Sequence, residues 1–134
     1  MKRELVAGLV IRDGRVLLVH NLKHGQERVE PPGGKLHPGE TDSQALVREM
    51  EEELGIKAAP LRLLGVYPTR SPEGEFSVHM YICWIVEGEP RVVEPDKIPS
   101  FGWYGMDELR RLETEGRLVP NMAEALKDLK GLVS

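Results

Sequence analysis

The apolar residues of the chain follow two periods, and the shorter of the two predicts β-strands. Apolar runs broken only by single polar residues are typical of strands that are buried on both faces. Two such runs, Glu4–Ile11 and Arg15–His20, flank Asp13-Gly14, a dipeptide that favours a tight hairpin turn. Further strands are predicted at Leu61–Thr69, Phe76–Val86 and Phe101–Tyr104.

The longer period, near 3.6 residues, predicts three helices. The first runs from about Asp42 to Leu54; Thr41 and Gln44 fit a capping box, and Gly55 fits the residue that ends a helix. Two more helices are predicted at Met106–Glu115 and Asn121–Lys130. Strands and helices therefore intermix, which predicts an α/β (α+β) fold with a mixed β-sheet between helices.

The segments between these elements are expected to be irregular. Residues 21–28 are polar, and residues 87–99 contain three prolines. Pro31-Pro32-Gly33-Gly34 cannot be helix and is poor strand. With 134 residues, the whole chain, residues 1–134, is expected to be one domain.

Charge and cysteine content exclude several classes of protein. The 22 acidic and 18 basic residues give a net charge of −4, which argues against broad electrostatic binding to DNA or RNA. The longest apolar run, Met80 to Val86, is too short to cross a membrane. One cysteine, Cys83, allows no internal disulfide, so a cytoplasmic location is expected.

The first predicted helix carries the most informative polar residues. Its Glu49, Glu52 and Glu53 are spaced i, i+3 and i+4, which places them on one face, whereas Glu51 points elsewhere. Like charges at this spacing destabilise a helix, so the three carboxylates favour a cation, and hard oxygen ligands suit Mg²⁺ or Mn²⁺. The alternative is an ordinary solvated acidic face.

The loop before this helix adds matching chemistry. Backbone carbonyls near Gly33-Gly34 can approach a metal closely, and Lys35 can meet a phosphate. Arg48 can pair with Glu40 and fix the loop against the helix. Each feature alone also fits ordinary turn chemistry or a surface ion pair.

Together these residues resemble the Nudix box, G-x5-E-x7-R-E-U-x-E-E-x-G-U with U aliphatic, over residues 34–56. The matching residues are Gly34, Glu40, Arg48, Glu49, Met50, Glu52, Glu53, Gly55 and Ile56. The resemblance implies an α/β/α sandwich and an enzyme that hydrolyses nucleoside diphosphates linked to another moiety, using Mg²⁺ or Mn²⁺.

By position, the resemblance also assigns roles within the box. Glu49, Glu52 and Glu53 would bind metal with a backbone carbonyl of Gly33 or Gly34, and Glu49 or Glu53 would be the general base. Glu40, Arg48 and Gly55 would support the box.

Residues outside the box are similar to the MutT-like branch of that family. The run Arg28–Lys35 resembles the K-L-E-F-P-G-G-K run of nucleoside triphosphate pyrophosphohydrolases, with Pro31 in place of the usual aromatic residue. That makes Arg28 and Lys35 candidate substrate contacts. Glu94 resembles a fourth metal carboxylate, with a plain loop glutamate as the alternative.

Two more candidates for substrate binding lie elsewhere in the chain. Asn121 resembles an asparagine that reads a purine base, and the alternative is a helix N-cap. Arg70 is a candidate phosphate contact, against a solvated charge at a strand end.

The resemblance predicts a MutT-like enzyme that cleaves a (deoxy)nucleoside triphosphate to the monophosphate and pyrophosphate. The first alternative is an ADP-ribose or ADP-sugar pyrophosphatase, which Pro72 favours by its position after the box. Less favoured are a dinucleoside polyphosphate hydrolase and a non-catalytic nucleotide-binding domain. The expected partner is a small nucleotide, without nucleic acid or membrane, and the expected state is a monomer or homodimer.

Overall fold

The computed structural model describes residues 3–134, which form a mixed sheet with helices on both faces. Met1 and Lys2, which the predicted domain includes, lie outside the described residues. The strands are β1 (Arg3–Arg12), β2 (Arg15–Asn21), β3 (Arg28–Glu30), β4 (Gly33–Lys35), β5 (Lys57–Ser71), β6 (Gly74–Glu87) and β7 (Ser100–Tyr104). The helices are α1 (Asp42–Leu54), α2 (Met106–Thr114) and α3 (Pro120–Ala125), and a 3₁₀ turn follows at Leu126–Leu129.

Strand β1 lies at the centre of the sheet. It pairs in parallel with β6 and antiparallel with β2 and β4. Strand β5 continues the sheet beyond β6, while β3 and β7 both pair with β2. The predicted hairpin between β1 and β2 is confirmed, since Arg12 pairs with Arg15 across the turn.

Two hydrophobic cores lie on opposite faces of this sheet. Alternate residues of β1 serve both: Val6 and Val10 face the core under α1, and Ala7 and Leu9 face the core under α2 and α3. Cys83 is buried in the α1 core beside Met50 and Leu46. Burial on both faces explains the nearly continuous apolar runs in the sequence, and the predicted α/β/α sandwich is confirmed.

Three elements differ from the prediction. Gly33–Lys35 forms a strand although its composition is poor for one, because the missing side chains let it lie close against β1, where Gly33 pairs with Ala7. A Cβ on Gly33, whose φ is 158°, would collide with the carbonyl of Val6. Arg28–Glu30 pairs with β2, so the predicted loop ends earlier, and β5 begins at Lys57.

The last predicted helix, residues 121–130, also differs. Its α-helical part begins at Pro120, with Val119 as N-cap, and ends at Ala125. Proline is favoured at the first helical position because its missing N–H is not needed there. Among residues 3–134, no helix has the length and apolar character needed to cross a membrane.

Candidate active site

Helix α1 is held in place at both ends. Thr41 and Gln44 form the predicted capping box, with hydrogen bonds of 2.9 and 3.2 Å between each side chain and the other residue's backbone N–H. Gly55 ends the helix in the left-handed conformation, at φ 66°. These two ends fix which residues of α1 face the sheet.

The first turn of α1 is also tied to strand β6. Asp42 accepts a hydrogen bond of 2.5 Å from Tyr81, and its Oδ2 lies 2.9 Å from His79 Nδ1. Burial raises the pKa of Asp42, but the contacts with Tyr81 and His79 outweigh burial, so the pKa is lowered overall. The charged carboxylate thus anchors the helix to the sheet.

Two carboxyl groups of α1 meet the glycines of β4. Glu53 is 2% exposed, and its Oε2 accepts a 3.0 Å hydrogen bond from the backbone N–H of Gly33. Glu49 is 9% exposed and lies over Gly34, where a Cβ would stand 2.6 Å from Glu49 Oε1. A side chain at position 34 would therefore make the Glu49 carboxylate shift from this place.

The two other glutamates of α1 are more exposed than this pair. Glu52 is 53% exposed and touches Arg48 at 3.3 Å, and Glu51 is exposed. The structure therefore brings Glu49 and Glu53 together at Gly33-Gly34 and places Glu52 at the edge of the group. Glu52 stays connected to the pair, because the same Arg48 nitrogen contacts Glu49 and Glu52. That the three carboxylates bind one metal stays a prediction.

Burial and the adjoining Glu49 carboxyl raise the pKa of Glu53 well above its usual value. The first cause is burial, which disfavours the charged form, and the second is the neighbouring carboxyl; a bound cation would offset both. The pair therefore has the chemistry of an incomplete cation site.

Arg48 connects the loop to the helix as predicted. Its guanidinium binds Glu40 in a bidentate manner at 2.8 and 2.9 Å, Glu49 at 2.9 Å and the carbonyl of Lys35 at 3.0 Å. Hydrogen bonds from Arg48 and from the backbone of His37 lower the pKa of Glu40 to about 2. The pairing of Arg48 with Glu40 is confirmed, and it orients the side chain that touches Glu49.

A cleft of about 490 Å³ opens beside the glycines and Glu49. Six basic residues line it: Lys23, His24, Arg28, Lys35, His37 and Lys97. Lys35 pairs with Glu73 and lies 5.9 Å from the centre of the Phe76 ring. The four lysine and arginine side chains of this lining suit an anionic ligand, although Glu30, Glu49 and Glu73 line the cleft as well.

Of the four predicted substrate contacts, Arg28, Lys35 and Asn121 line this cleft and Arg70 does not. Arg28 also donates a 3.0 Å hydrogen bond to the carbonyl of Arg70. The Arg70 side chain is 80% exposed, pairs with Glu75 and lies apart from the cleft lining. Glu94 pairs with Lys97 at 3.4 Å and so lies next to the opening, outside the lining itself.

The second residue of α3 is Asn121, and it is buried with 7% exposure. Because Val119 is the N-cap, the alternative of an Asn121 cap is wrong. Its side-chain oxygen, Oδ1, is buried without a hydrogen-bond partner.

Sequence reasoning missed several polar residues of the cleft, among them Asn21, Glu30 and Thr69. Asn21 donates a 2.7 Å hydrogen bond to Glu30 and accepts one of 2.8 Å from the backbone of Lys23. Burial raises the pKa of Glu30, and the Asn21 contact opposes it only in part. Thr69 on β5 is 5% exposed and also lines the cleft. Strand alternation from Tyr67 could have indicated its face, but nothing in the sequence marks its role.

A sequence model of the NUDIX domain matches residues 2–129 of the chain. The chain belongs to the Nudix hydrolase family. Nudix hydrolases act on small nucleotide substrates and generally use divalent metal ions. The Nudix-box resemblance at residues 34–56 lies within the matched range, and Gly34, Lys35, His37 and Glu49 of that segment line the cleft.

Proteins with similar sequences are named for several different substrates. The chain is 32% identical to an ADP-ribose pyrophosphatase of Methanocaldococcus jannaschii over 72% of this chain and 59% of that protein. It is 38% identical to an 8-oxo-dGTP diphosphatase of Haemophilus influenzae, over 65% of this chain and 66% of the relative. The chain therefore spans about three-fifths to two-thirds of the length of these relatives.

Solved structures agree on the fold. A MutT Nudix hydrolase from Burkholderia pseudomallei superposes with a TM-score of 0.69 and 34% identity, over 81% of this chain and 87% of the other. A Nudix hydrolase from Nitrosomonas europaea reaches a TM-score of 0.83 at 24% identity, over 98% and 90%. The Nudix fold and the MutT-like resemblance are confirmed.

The donor groups of the box fit a hard divalent cation. Among residues 3–134, no three His, Cys, Asp or Glu side chains already stand together as a metal-binding group. The contact between the Glu49 and Glu53 carboxyls is nevertheless what a cation would relieve, and both offer hard oxygens beside the Gly33-Gly34 backbone.

Proposed function

We propose that the protein is a MutT-like pyrophosphohydrolase that cleaves a (deoxy)nucleoside triphosphate to the monophosphate and pyrophosphate. The observation that carries the proposal is one cleft that joins the box glutamate Glu49, a ring of basic groups and the buried amide of Asn121. Those three parts match the phosphates and the base of a nucleotide. A cytoplasmic location and a monomeric or homodimeric state stay predictions from the sequence.

Glu49, Glu52 and Glu53 would hold Mg²⁺, or Mn²⁺ in its place, together with a backbone carbonyl of Gly33 or Gly34. The ion would neutralise charge on the phosphates and lower the pKa of the attacking water. Glu94 is the proposed fourth carboxylate, because its partner Lys97 lines the opening of the cleft.

The proton of the water passes to Glu49 or Glu53. Arg48 contacts Oε1 of Glu49, the Gly33 N–H contacts Oε2 of Glu53, and the two carboxyl groups also contact each other. The two residues stay equal candidates for the general base.

The basic residues of the cleft bind the phosphates. Lys35 follows the glycines directly and is within reach of anions held there. Arg28 spans from β3 to the carbonyl of Arg70 and presents its guanidinium to the cleft. Arg70 itself was proposed as a phosphate contact, but its exposed side chain makes it the weakest member of the set.

The test is a substrate panel with Mg²⁺. It compares dNTPs, NTPs, 8-oxo-dGTP, ADP-ribose and diadenosine polyphosphates, and separates released pyrophosphate from released phosphate. The proposal expects pyrophosphate and a monophosphate from at least one triphosphate, with no turnover in EDTA. If ADP-ribose were the only substrate hydrolysed, the triphosphate proposal would be wrong.

An ADP-ribose pyrophosphatase is the second candidate. It is favoured by the relative from M. jannaschii, which aligns over 72% of this chain. In that case the products are AMP and ribose 5-phosphate, and no pyrophosphate is released from any substrate in the panel.

A further inference from the structure

The hydroxyl of Thr69 lacks the hydrogen bond that a buried hydroxyl normally has. Among the buried side-chain atoms that the structure describes, two oxygens have no partner, Thr69 Oγ1 and Asn121 Oδ1. Both residues line the same cleft. Buried polar groups are nearly always satisfied, so two orphaned oxygens in one cavity indicate a group that the ligand supplies.

Thr69 lies on the face of β5 that is turned toward α3. It pairs with Phe76, whose side chain also lines the cleft, and it shares its side of the strand with Tyr67, which packs in the core under α3. The next residue is fixed, because Arg28 donates to the carbonyl of Arg70. The backbone next to Thr69 is therefore anchored, and the residue itself lines the cleft.

A valine would suit this position better if packing were its only purpose. Valine has nearly the same shape as threonine, is favoured in strands and leaves no hydroxyl without a partner. The hydroxyl thus costs stability in the free protein, and a bound ligand can recover that cost. Phe76 and Leu5 give the same cleft an apolar surface for a flat ring.

We infer that Thr69 is a specificity-determining residue whose hydroxyl binds the polar edge of the nucleobase together with Asn121. The ligand class is a nucleotide whose base carries a hydrogen-bond donor and an acceptor side by side, since a hydroxyl and an amide each supply either role. This inference rests on the proposed function, and adds a sheet-borne contact to it.

The experiment compares Thr69→Val, which removes the hydroxyl, with Thr69→Ser, which keeps it. For the best triphosphate, kcat/KM of Thr69→Val should fall roughly 10- to 100-fold, and Thr69→Ser should stay within about threefold of the parent. The thermal midpoint of Thr69→Val should equal or exceed that of the parent, because an orphaned hydroxyl is lost. Inorganic tripolyphosphate, which has no base, should inhibit both variants and the parent equally.

Two results would overturn the inference. A lowered thermal midpoint in Thr69→Val would show that the hydroxyl has a structural partner. An equal loss on every base, or a changed inhibition by tripolyphosphate, would show that Thr69 acts on the phosphates or the fold.

Failure of the proposed function gives a different pattern. The parent enzyme would then release no pyrophosphate from any triphosphate. In that case calorimetric binding of nucleoside monophosphates decides about Thr69: binding that distinguishes bases in the parent and not in Thr69→Val supports the inference, and binding that never distinguishes them contradicts it.

Discussion

The two sides of the cleft differ in how completely their polar groups are paired. One side, the box wall, consists of the lining residues Gly33, Gly34 and Glu49 with their partners Arg48 and Glu53. Hydrogen bonds of 2.9 and 3.0 Å join Arg48 to Glu49 and the Gly33 N–H to Glu53. The other, the β5–α3 wall, contains Thr69 and Asn121, whose side-chain oxygens have no partner. The polar groups of the first wall contact one another, with the Glu49 and Glu53 carboxyls still suited to a cation, whereas the two oxygens of the second wall contact no protein group.

This difference suggests a division of labour. Groups that act on the phosphates must be held rigidly before the substrate arrives, because preorganised charges stabilise a transition state most. Groups that choose the base gain selectivity when a wrong base leaves them unpaired. Changes in the box wall should therefore affect all substrates, and changes in the β5–α3 wall should affect one substrate more than others.

The largest effect is expected for Glu53→Gln. It removes a metal-binding charge with little change in volume, so turnover should fall by roughly three to five powers of ten on every substrate. The thermal midpoint should not fall, because the replaced carboxyl is 2% exposed and burial already disfavours its charge. Steady-state kinetics with Mg²⁺ and a melting curve measure both.

Glu52→Gln makes this prediction more specific. Glu52 is half exposed and contacts the same Arg48 as Glu49. If Glu52 binds the metal, the turnover of Glu52→Gln should fall by several powers of ten. Full activity of Glu53→Gln, or of the parent in EDTA, would contradict the metal assignment of the box wall.

The next effect is expected for Asn121→Ala on the opposite wall. It should lower kcat/KM for the preferred purine triphosphate roughly 10- to 1000-fold and leave poor substrates nearly unchanged. Since Val119 is the N-cap of α3, no capping energy is lost. Equal losses on purine and pyrimidine triphosphates would take Asn121 out of base recognition and favour the ADP-ribose alternative.

A smaller effect is expected for Glu40→Gln, which weakens the bidentate contact with Arg48. Loss of a group that orients a ligand side chain typically lowers metal affinity about 10- to 100-fold. A metal titration of activity measures this loss, with Glu51→Gln as the matched control.

The same variant has a signature in acid. The folded pKa of Glu40, about 2, is lowered from about 4.3 in the unfolded chain, so its contribution to stability is complete above pH 4.5 and is lost as the pH falls toward 2. The thermal midpoint of Glu40→Gln should therefore fall less steeply than that of the parent between pH 4.5 and 2. Parallel slopes would mean that the ion pair does not form.

The smallest effect is expected for Glu51→Gln. Glu51 has the same chemistry as its neighbours but is exposed on the outer side of α1. Turnover and metal affinity should remain within a few-fold of the parent. A loss comparable to that of Glu53→Gln would mean that activity depends on the total charge of α1 and not on where each carboxylate lies.

The box wall could be predicted from the sequence because its parts lie within 24 consecutive residues, 33–56. Helical periodicity alone brings Glu49 and Glu53 to one side of α1, and capping fixes where the helix starts. The exposure of Glu52 was not predictable in this way, since it depends on where the sheet and β4 cover the helix.

The β5–α3 wall depends on long-range packing, and the sequence reveals it only in part. Thr69 and Asn121 are 52 positions apart, and they share a cleft only because β5 and α3 enclose one core. A single threonine in a strand is typical of any sheet. Strand β4 was missed for a related reason: its pairing is favoured by close contact with β1 and not by its own composition.

Cys83 offers a way to follow the box helix without any introduced probe. It is the only cysteine, it is buried beneath α1, and burial raises its pKa to about 12. Thiol reagents react with the exposed thiolate, so modification requires the helix to separate from the sheet. The labelling rate of the unaltered protein therefore reports the opening free energy of α1, and ligands that bind the closed form should slow labelling in proportion to their affinity.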